Sequence, residues 1–333
     1  MAATFSVRLR RGGSDAALTV LGVLAGAALV IFLLVEFIRG PAVFLTQIMN
    51  GVGNGAVYAS LALALVLIFR TTGILNFAQG EMALYSTYLF WYFTDVGLPV
   101  IVAIALSMVL SFIGGALIER VVIRPVEHSS PLVIVIVTIG LFLALNSITQ
   151  IQFGSDIKPN LPRFYAKTTW LPGNVQISAD TLVLLAMLGI VCLLLYLLFQ
   201  HTKAGLAMRA VSSSSESSSL SGVNVGNMLM LGWGLAAALG ALAGALVVPQ
   251  LGLQSSTMQS ILVYSFAAAA LGGFDSPVGA VVGGLIVGVA QSLTIEYIPS
   301  LADIVLVVPF GIILVVLVVR PQGLFGTKRV ERV

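Results

Sequence analysis

The segment Val43–Phe69 reads VFLTQIMNGVGNGAVYASLALALVLIF. It contains no Asp, Glu, Lys, Arg or His. About 20 apolar residues in a helix, each rising about 1.5 Å, are enough to cross the hydrocarbon core of a bilayer. The sequence therefore predicts a membrane-spanning helix here.

Nine further stretches have the same apolar character, although one begins with polar residues and one is short and interrupted by glycine. In chain order they are Ala17–Phe37, Ile74–Phe93, Leu98–Ile118, Leu132–Gln150, Thr181–Phe199, Met228–Val248, Leu262–Gly273, Val278–Thr294 and Leu301–Val319. Only 9% of the 333 residues are charged, against about 25% in soluble domains. The prediction is an all-α, polytopic transmembrane bundle of about ten helices.

The basic residues predict the orientation of this bundle, because cytoplasmic loops carry an excess of Lys and Arg. If ten helices alternate from a cytoplasmic N-terminus, twelve of the sixteen Lys and Arg lie inside. The four that lie outside are Arg39, Lys158, Arg163 and Lys167. Both ends are thus predicted to be cytoplasmic. Residues 151–179 become an extracytoplasmic loop, and residues 200–227 become the largest cytoplasmic segment between helices.

Several motifs of catalysis and cofactor binding are missing from the sequence. It has no G-x-x-x-x-G-K-[ST] phosphate loop, no H-E-x-x-H zinc motif and no G-x-S-x-G nucleophile elbow. His128 and His201 are too few for a His-rich metal site, and Cys192 is interpreted as a packed apolar residue. We therefore expect a chain that binds no metal or cofactor of its own; an intramembrane enzyme stays open at this point, although no catalytic residue can be named.

Polar residues at the start of the third apolar stretch need a separate explanation. The segment Thr71–Glu81, TTGILNFAQGE, places Asn76, Gln79 and Glu81 there, where an uncompensated carboxylate is costly. One interpretation has Asn76 capping the helix and Glu81 near the interface, favoured by the helix dipole. The other has them pair helices or line a translocation path, with Arg70 as a candidate partner of Glu81.

Two further patterns concern contacts between helices. Asn50, Asn54 and Tyr58 recur every four residues and so share one face of the second helix, where they line a polar path or bond across the bundle. Small residues one turn apart predict close helix packing, and the pairs are Gly240 with Gly244, Gly279 with Gly283, and Gly284 with Gly288.

Six motifs together resemble branched-chain amino acid ABC transporter permeases. Gly73–Glu81 is similar to the family's N-F-A-x-G-E signature, and Gly51–Ala62 to its G-x-x-x-G-x-x-Y-A-x-x-A pattern. The others are Leu271–Ala280 with Gly283 and Gly284, the R-P-x-G-L-F-G-like segment Arg320–Gly326, the G-x-x-x-R-A element Gly205–Ala210, and Gly222–Asn224. Asp275 replaces a usual glycine, and the serine-rich Ser212–Ser219 predicts a cytoplasmic helix with a weak second half.

The resemblance implies a single permease domain over residues 1–333, in a bacterial or archaeal plasma (inner) membrane. It implies a second permease subunit (a paralogue or a copy), two cytoplasmic ATP-binding subunits that hydrolyse the ATP, and an extracytoplasmic substrate-binding protein. No nucleic acid is expected as a partner. The residues that it assigns to ATPase coupling are Gly205, Arg209, Glu216, Gly222 and Asn224.

The transport reaction implied is ATP-driven import of branched-chain amino acids by alternating access. Permeases for urea and short amides share these motifs, so the same machine with that substrate is the first alternative. A proton-driven secondary transporter with Glu81 as its proton carrier is a second alternative. An intramembrane enzyme is disfavoured because no catalytic cluster is present.

Overall fold

The computed structural model describes residues 30–127, 129–158, 161–304 and 306–326. Most of the first predicted span, Ala17–Phe37, lies outside these residues, and its described part belongs to a helix over residues 30–39, here α1. The remaining α-helices are α2 (Pro41–Thr72), α3 (Gln79–Asp95), α4 (Val100–Ile118), α5 (Pro131–Phe153), α6 (Ala179–His201), α7 (Lys203–Ser213), α8 (Ser215–Leu220), α9 (Val225–Leu251), α10 (Thr257–Gly272), α11 (Pro277–Tyr297) and α12 (Val307–Val319).

The predicted all-α membrane bundle is confirmed. Within the described residues, six helices are long and apolar enough to cross a membrane: α2, α4 with its continuation to Val126, α5, α6, α9 and α11. The apolar helices α10 and α12 are shorter, with 16 and 13 residues. Each predicted span after the first coincides with one of these described helices or with α3.

Three predicted helix starts are wrong. The third span is predicted from Ile74, but α3 begins at Gln79, and residues 73–78 form an irregular connection after the left-handed Gly73. The eighth is predicted from Leu262, but α10 begins five residues earlier, at Thr257. The last span is predicted from Leu301, but α12 begins at Val307 after a 3-10 turn at Pro299–Ile304. Apolar composition alone does not mark where a helix begins, which explains these errors.

The centre of the bundle is formed by α2 and α9, whose membrane windows are mostly buried, whereas α4, α5 and α6 expose most of theirs. Small residues allow this central packing. A Cβ added to Gly288 would collide with the backbone of Gly51 and Gly55, and one added to Gly244 would collide with the Thr87 side chain. The glycine spacings therefore mark helix contacts at backbone distance, as predicted.

The predicted extracytoplasmic segment is anchored to the ends of neighbouring helices. Thr169–Trp170 pairs antiparallel with Ile177–Ser178, just before α6. Arg163 Nε lies 3.2 Å from Asp180 Oδ1, and the Tyr165 hydroxyl donates to the same oxygen at 2.6 Å. Burial, reinforced by the hydrogen bond and charge of Asp180, raises the pKa of Tyr165 to about 12. This phenol therefore stays a hydrogen-bond donor at any physiological pH.

The segment after α12 packs against the turn that joins α10 and α11. The N–H groups of Leu324 and Phe325 donate to the carbonyl oxygens of Leu271 and Gly272, at 2.8 and 3.0 Å. Gly323 (φ +77°) lies so close to Gly273 that a side chain at position 323 would collide with the backbone of Gly273. Two of the six motifs identified in the sequence thus form one joint.

Candidate translocation pathway

The irregular connection before α3 is held by side-chain amides. Asn76 is buried, and its Oδ1 accepts a hydrogen bond from the Ala78 N–H at 3.0 Å, which folds the chain into a turn. Gln79 donates through Nε2 to the carbonyl oxygen of Ala236 on α9 at 2.9 Å. The expected cap at Asn76 is wrong, because the N-cap residue is Ala78 and no side chain caps it.

Glu81 is fully buried and connects three helices. Its Oε2 accepts from Asn146 Nδ2 of α5 at 2.9 Å, and its Oε1 accepts from Gln259 Nε2 of α10 at 3.2 Å. Arg70, the partner suggested from the sequence, instead lies with its Cζ 5.8 Å from the centroid of the Phe199 ring. Both oxygens of Glu81 are thus held by neutral amides, which excludes the interface position that the helix dipole suggested.

A cavity of about 280 Å³ opens where α9 ends and α10 begins; we call it the Tyr58 cavity. Its hydrogen-bonding groups come from Asn54, Tyr58, Tyr264 and Gln291, with the hydroxyls of Thr257 and Ser260. The Tyr58 hydroxyl donates to Gln291 Oε1, and its ring stacks on Tyr264 with the centroids 4.6 Å apart. The remaining wall is apolar and includes Val247, Leu251 and Ile261.

The three polar residues predicted to share a face of α2 do not share an environment. Asn54 and Tyr58 line the cavity, whereas Asn50 is exposed and does not line it. Between α2 and α11, the contact near Asn50 is made by Gln47, which bonds to Ser292 and Glu296 at 2.9 and 2.8 Å. Tyr264 and Gln291 were missed in the sequence, although Gln291 stands out as an amide within the apolar run of α11.

A smaller cavity, of about 130 Å³, lies at the opposite end of α9; we call it the Asn76 cavity. Asn76, Thr71, Thr138 and Trp233 contribute to its lining. Between the two cavities nearly all residues of α9 are buried, with Ala83 and Thr87 of α3 packed on Gly240 and Gly244. The bundle therefore has a recess at each end and a packed middle.

The segment between α6 and α9 contains the residues assigned to coupling. A Cβ on Gly205 would collide with the Leu198 carbonyl oxygen, so α7 packs directly on the end of α6. Gly222 ends α8 with φ +84°, and Asn224 caps α9 by accepting from the Asn227 N–H at 3.0 Å. Glu216 is exposed in the first turn of α8.

One expectation for this segment is wrong. The serine-rich half is not a weak continuation of one helix, because α7 ends before Ser214 and the Ser214 hydroxyl caps the separate helix α8 by accepting from the Ser217 N–H. Arg209 is half-buried, and its Nη1 donates to Gln200 Oε1 at 3.1 Å beside the same cleft as Arg70.

An ion pair with a buried carboxylate, which the sequence did not reveal, joins the end of α4 to α9. Arg124 holds the fully buried Glu119 through two hydrogen bonds, at 2.7 and 3.2 Å, and also donates to the Gly226 carbonyl oxygen at 2.8 Å. Glu119 begins a π-helical turn, Glu119–Ile123, at the end of α4. The start of α9, next to the coupling segment, is therefore fixed to its neighbour.

Comparison with known proteins connects these features to transport. The chain is 31% identical over 314 residues to the high-affinity branched-chain amino acid transport system permease protein LivH of Salmonella typhimurium, covering 87% of this chain and 98% of LivH. It is 30% identical to the permease protein BraD of Pseudomonas aeruginosa, with the same coverage. It is 29% identical to the fructose import permease protein FrcC of Rhizobium meliloti, over 70% of this chain and 66% of FrcC.

The family match covers most of the described bundle. Residues 47–317, from α2 into α12, match the family described as "Branched-chain amino acid transport system / permease component". The chain matches nearly the full length of LivH, and six of its described helices are long and apolar enough to cross a membrane. Together with the family match, these findings identify a multi-pass membrane protein of a transport system. The chain belongs to the branched-chain amino acid transport system permease family.

Proposed function

We propose that this protein is the permease subunit of an ATP-driven ABC importer for branched-chain amino acids, working by alternating access in a bacterial or archaeal plasma membrane. The observation that carries the proposal is the Tyr58 cavity in a chain of this family. Amide, phenol and hydroxyl groups stand on one part of its wall and apolar side chains on the rest. Such a wall suits a small solute with a polar end and an aliphatic end.

The packed middle of the bundle supports alternating access. A solute in the Tyr58 cavity is separated from the Asn76 cavity by the buried part of α9 and the α3 residues on it. Transport would require these helices to move apart on one side while they remain closed on the other. The energy would come from two cytoplasmic ATP-binding subunits acting on residues 200–227, since the sequence has no phosphate loop of its own.

The other proposed partners are a second permease subunit and an extracytoplasmic binding protein. Residues 151–179 would face the binding protein, and their anchoring through Arg163 and Asp180 would give it a fixed surface. The exposed Leu206 and Leu220, on α7 and α8, are large apolar side chains that an ATP-binding subunit would cover. Purification of a tagged permease without any ATP-binding subunit would contradict this arrangement.

The orientation needs its own measurement. With twelve of sixteen basic residues on one side, we expect a reporter fused after Val333 to be cytoplasmic. A reporter inserted near Asn160 should be extracytoplasmic. If both reporters are found on the same side, the ten-helix topology is wrong.

The central experiment narrows the cavity and measures uptake. Ser260→Phe places a ring at the Tyr58 cavity, and we expect about a tenfold lower initial rate of leucine uptake at unchanged membrane abundance. The matched control is Val263→Phe on the same helix, which points to a separate apolar cleft of about 540 Å³ and should leave uptake near normal. Equal uptake by both variants would exclude the cavity from the path.

Competition between unlabelled solutes and labelled leucine distinguishes the alternative substrates. Valine and isoleucine should compete with labelled leucine, whereas urea, acetamide and fructose should not. Uptake that persists in vanadate but collapses with the proton gradient would instead favour the secondary transporter. Glu81 does not support the secondary-transporter alternative. Both of its carboxylate oxygens accept hydrogen bonds from amides, and Glu81 does not line the Tyr58 cavity.

A further inference from the structure

A second large cleft lies away from the Tyr58 cavity, between α6 and α11, with α2 as its floor; we call it the arginine cleft. Its volume is about 460 Å³. Most of its wall is apolar and includes Leu63, Cys192 and Val281. One end is polar, where Arg70 of α2 and Arg209 of α7 both reach it.

The two arginines retain hydrogen-bonding capacity. Arg70 lies against the Phe199 ring, and Arg209 makes one side-chain bond, to Gln200. The Nε of Arg209 is buried and has no hydrogen-bond partner among the described residues. Of the two charged groups that act on Arg70, Arg209 and Asp275, only Arg209 also lines the cleft.

The cleft opens sideways, between membrane-spanning helices. At its edges Val278 of α11 is 65% exposed and Tyr196 of α6 is 58% exposed. Both helices are long and apolar enough to cross a membrane, so an opening between them would face the bilayer rather than water. A ligand that enters from this side must bring an apolar part along the wall and an anion to the arginines.

We propose that the arginine cleft binds an anionic phospholipid, with its phosphate between Arg70 and Arg209 and one acyl chain along the wall between α6 and α11. Guanidinium groups offer paired donors to phosphate oxygens, and basic pockets between membrane helices select acidic headgroups. A free phosphate would satisfy the arginines but leave the apolar wall unoccupied.

This binding would connect the bilayer to the coupling segment. Arg209 belongs to α7, which packs on the end of α6 through Gly205. A lipid held by Arg209 and Arg70 would therefore brace α7 against α2. The proposal is independent of which solute is transported, and the lipid would come from the cytoplasmic leaflet if the orientation proposed above is right.

The test uses the whole transporter complex, reconstituted in nanodiscs of phosphatidylcholine with a minor fraction of phosphatidylglycerol. Native mass spectrometry then counts the phosphatidylglycerol that stays with the complex after detergent release. We expect Arg70→Gln and the cleft-filling Val281→Phe each to lower this retention about tenfold. Arg120→Gln is the matched control, because Arg120 is exposed after α4 and its loss changes the net charge equally.

A second measurement uses the single cysteine of the chain, Cys192, which lies in the wall of the cleft. Alkylation of Cys192 by a small thiol reagent, followed by peptide mass spectrometry, should be slower with phosphatidylglycerol than with phosphatidylcholine alone. Arg70→Gln should abolish this difference. Protection by inorganic phosphate alone would identify a free-anion site instead of a lipid site. Equal retention of phosphatidylglycerol by wild type and Arg70→Gln would overturn the proposal.

Discussion

The signature segment, residues 71–81, and the Tyr58 cavity both place polar side chains among apolar helices. The two regions differ in what supplies the hydrogen-bond partners of these side chains. Glu81 and Gln79 are fully buried, and their side chains bond to groups on α5, α9 and α10. In the Tyr58 cavity, Asn54 and Gln291 are only half-buried and border open volume. The first group holds helices together, whereas the second leaves hydrogen-bonding capacity for a solute.

A polar residue in an apolar helix can therefore have either of two roles, to join helices or to contact a solute. A substitution in the signature segment should act first on membrane abundance, because it leaves buried partners unsatisfied. A substitution in the Tyr58 cavity should act first on uptake, because water can replace the missing group. Abundance and uptake at equal abundance are therefore the two quantities to measure.

The largest effect is expected for Glu81→Leu. It removes both acceptors from the half-buried amides of Asn146 and Gln259 and places an apolar side chain between them, and each donor left without an acceptor costs up to about 1–3 kcal/mol. We expect membrane abundance, measured by immunoblot, to fall about tenfold. Glu81→Gln should stay within about twofold of wild type, because the Gln259 amide can turn to accept from the new donor.

These two Glu81 variants test whether Glu81 holds helices together or lies on the transport path. Normal abundance of Glu81→Leu would show that the carboxylate does not hold the three helices. Normal abundance of Glu81→Gln with lost uptake would move Glu81 from architecture to the transport path, since only the charge differs.

An intermediate effect is expected for Tyr58→Phe. It removes the hydroxyl that donates to Gln291 but keeps the ring stacked on Tyr264, at a cost of about 0.5–1.5 kcal/mol. Abundance should be normal, and initial leucine uptake should fall a few-fold with a raised KM. Reduced abundance with normal uptake per molecule would place Tyr58 with the architectural group.

The smallest effects are expected for a matched pair on α2. Asn54→Ala should lower leucine uptake by about twofold, and Asn50→Ala should leave it unchanged, because Asn54 lines the cavity whereas Asn50 does not. Both should reach normal abundance. A larger loss in Asn50→Ala would mean that the exposed face of α2 contacts a partner.

The sequence predicts the spans well because bilayer thickness sets the length of an apolar run, as in Val43–Phe69 against the observed α2, Pro41–Thr72. It fails on the details of the site for a physical reason. Glu81 is bonded to residues 65 and 178 positions away, and no local pattern gives such partners. The direction of Arg209 depends in the same way on the packing of α7 against α6.

The joint between residues 320–326 and the α10–α11 turn has a consequence for the order of synthesis. A ribosome completes α10 and α11 before it makes the segment that follows α12. Until then the carbonyl oxygens of Leu271 and Gly272 lack the N–H groups of Leu324 and Phe325, and the left-handed Gly273 has no backbone packed on it. The α10–α11 hairpin can therefore reach its final form only after the segment following α12 has been made, so a nascent chain halted before residue 320 should leave this turn more open to added protease.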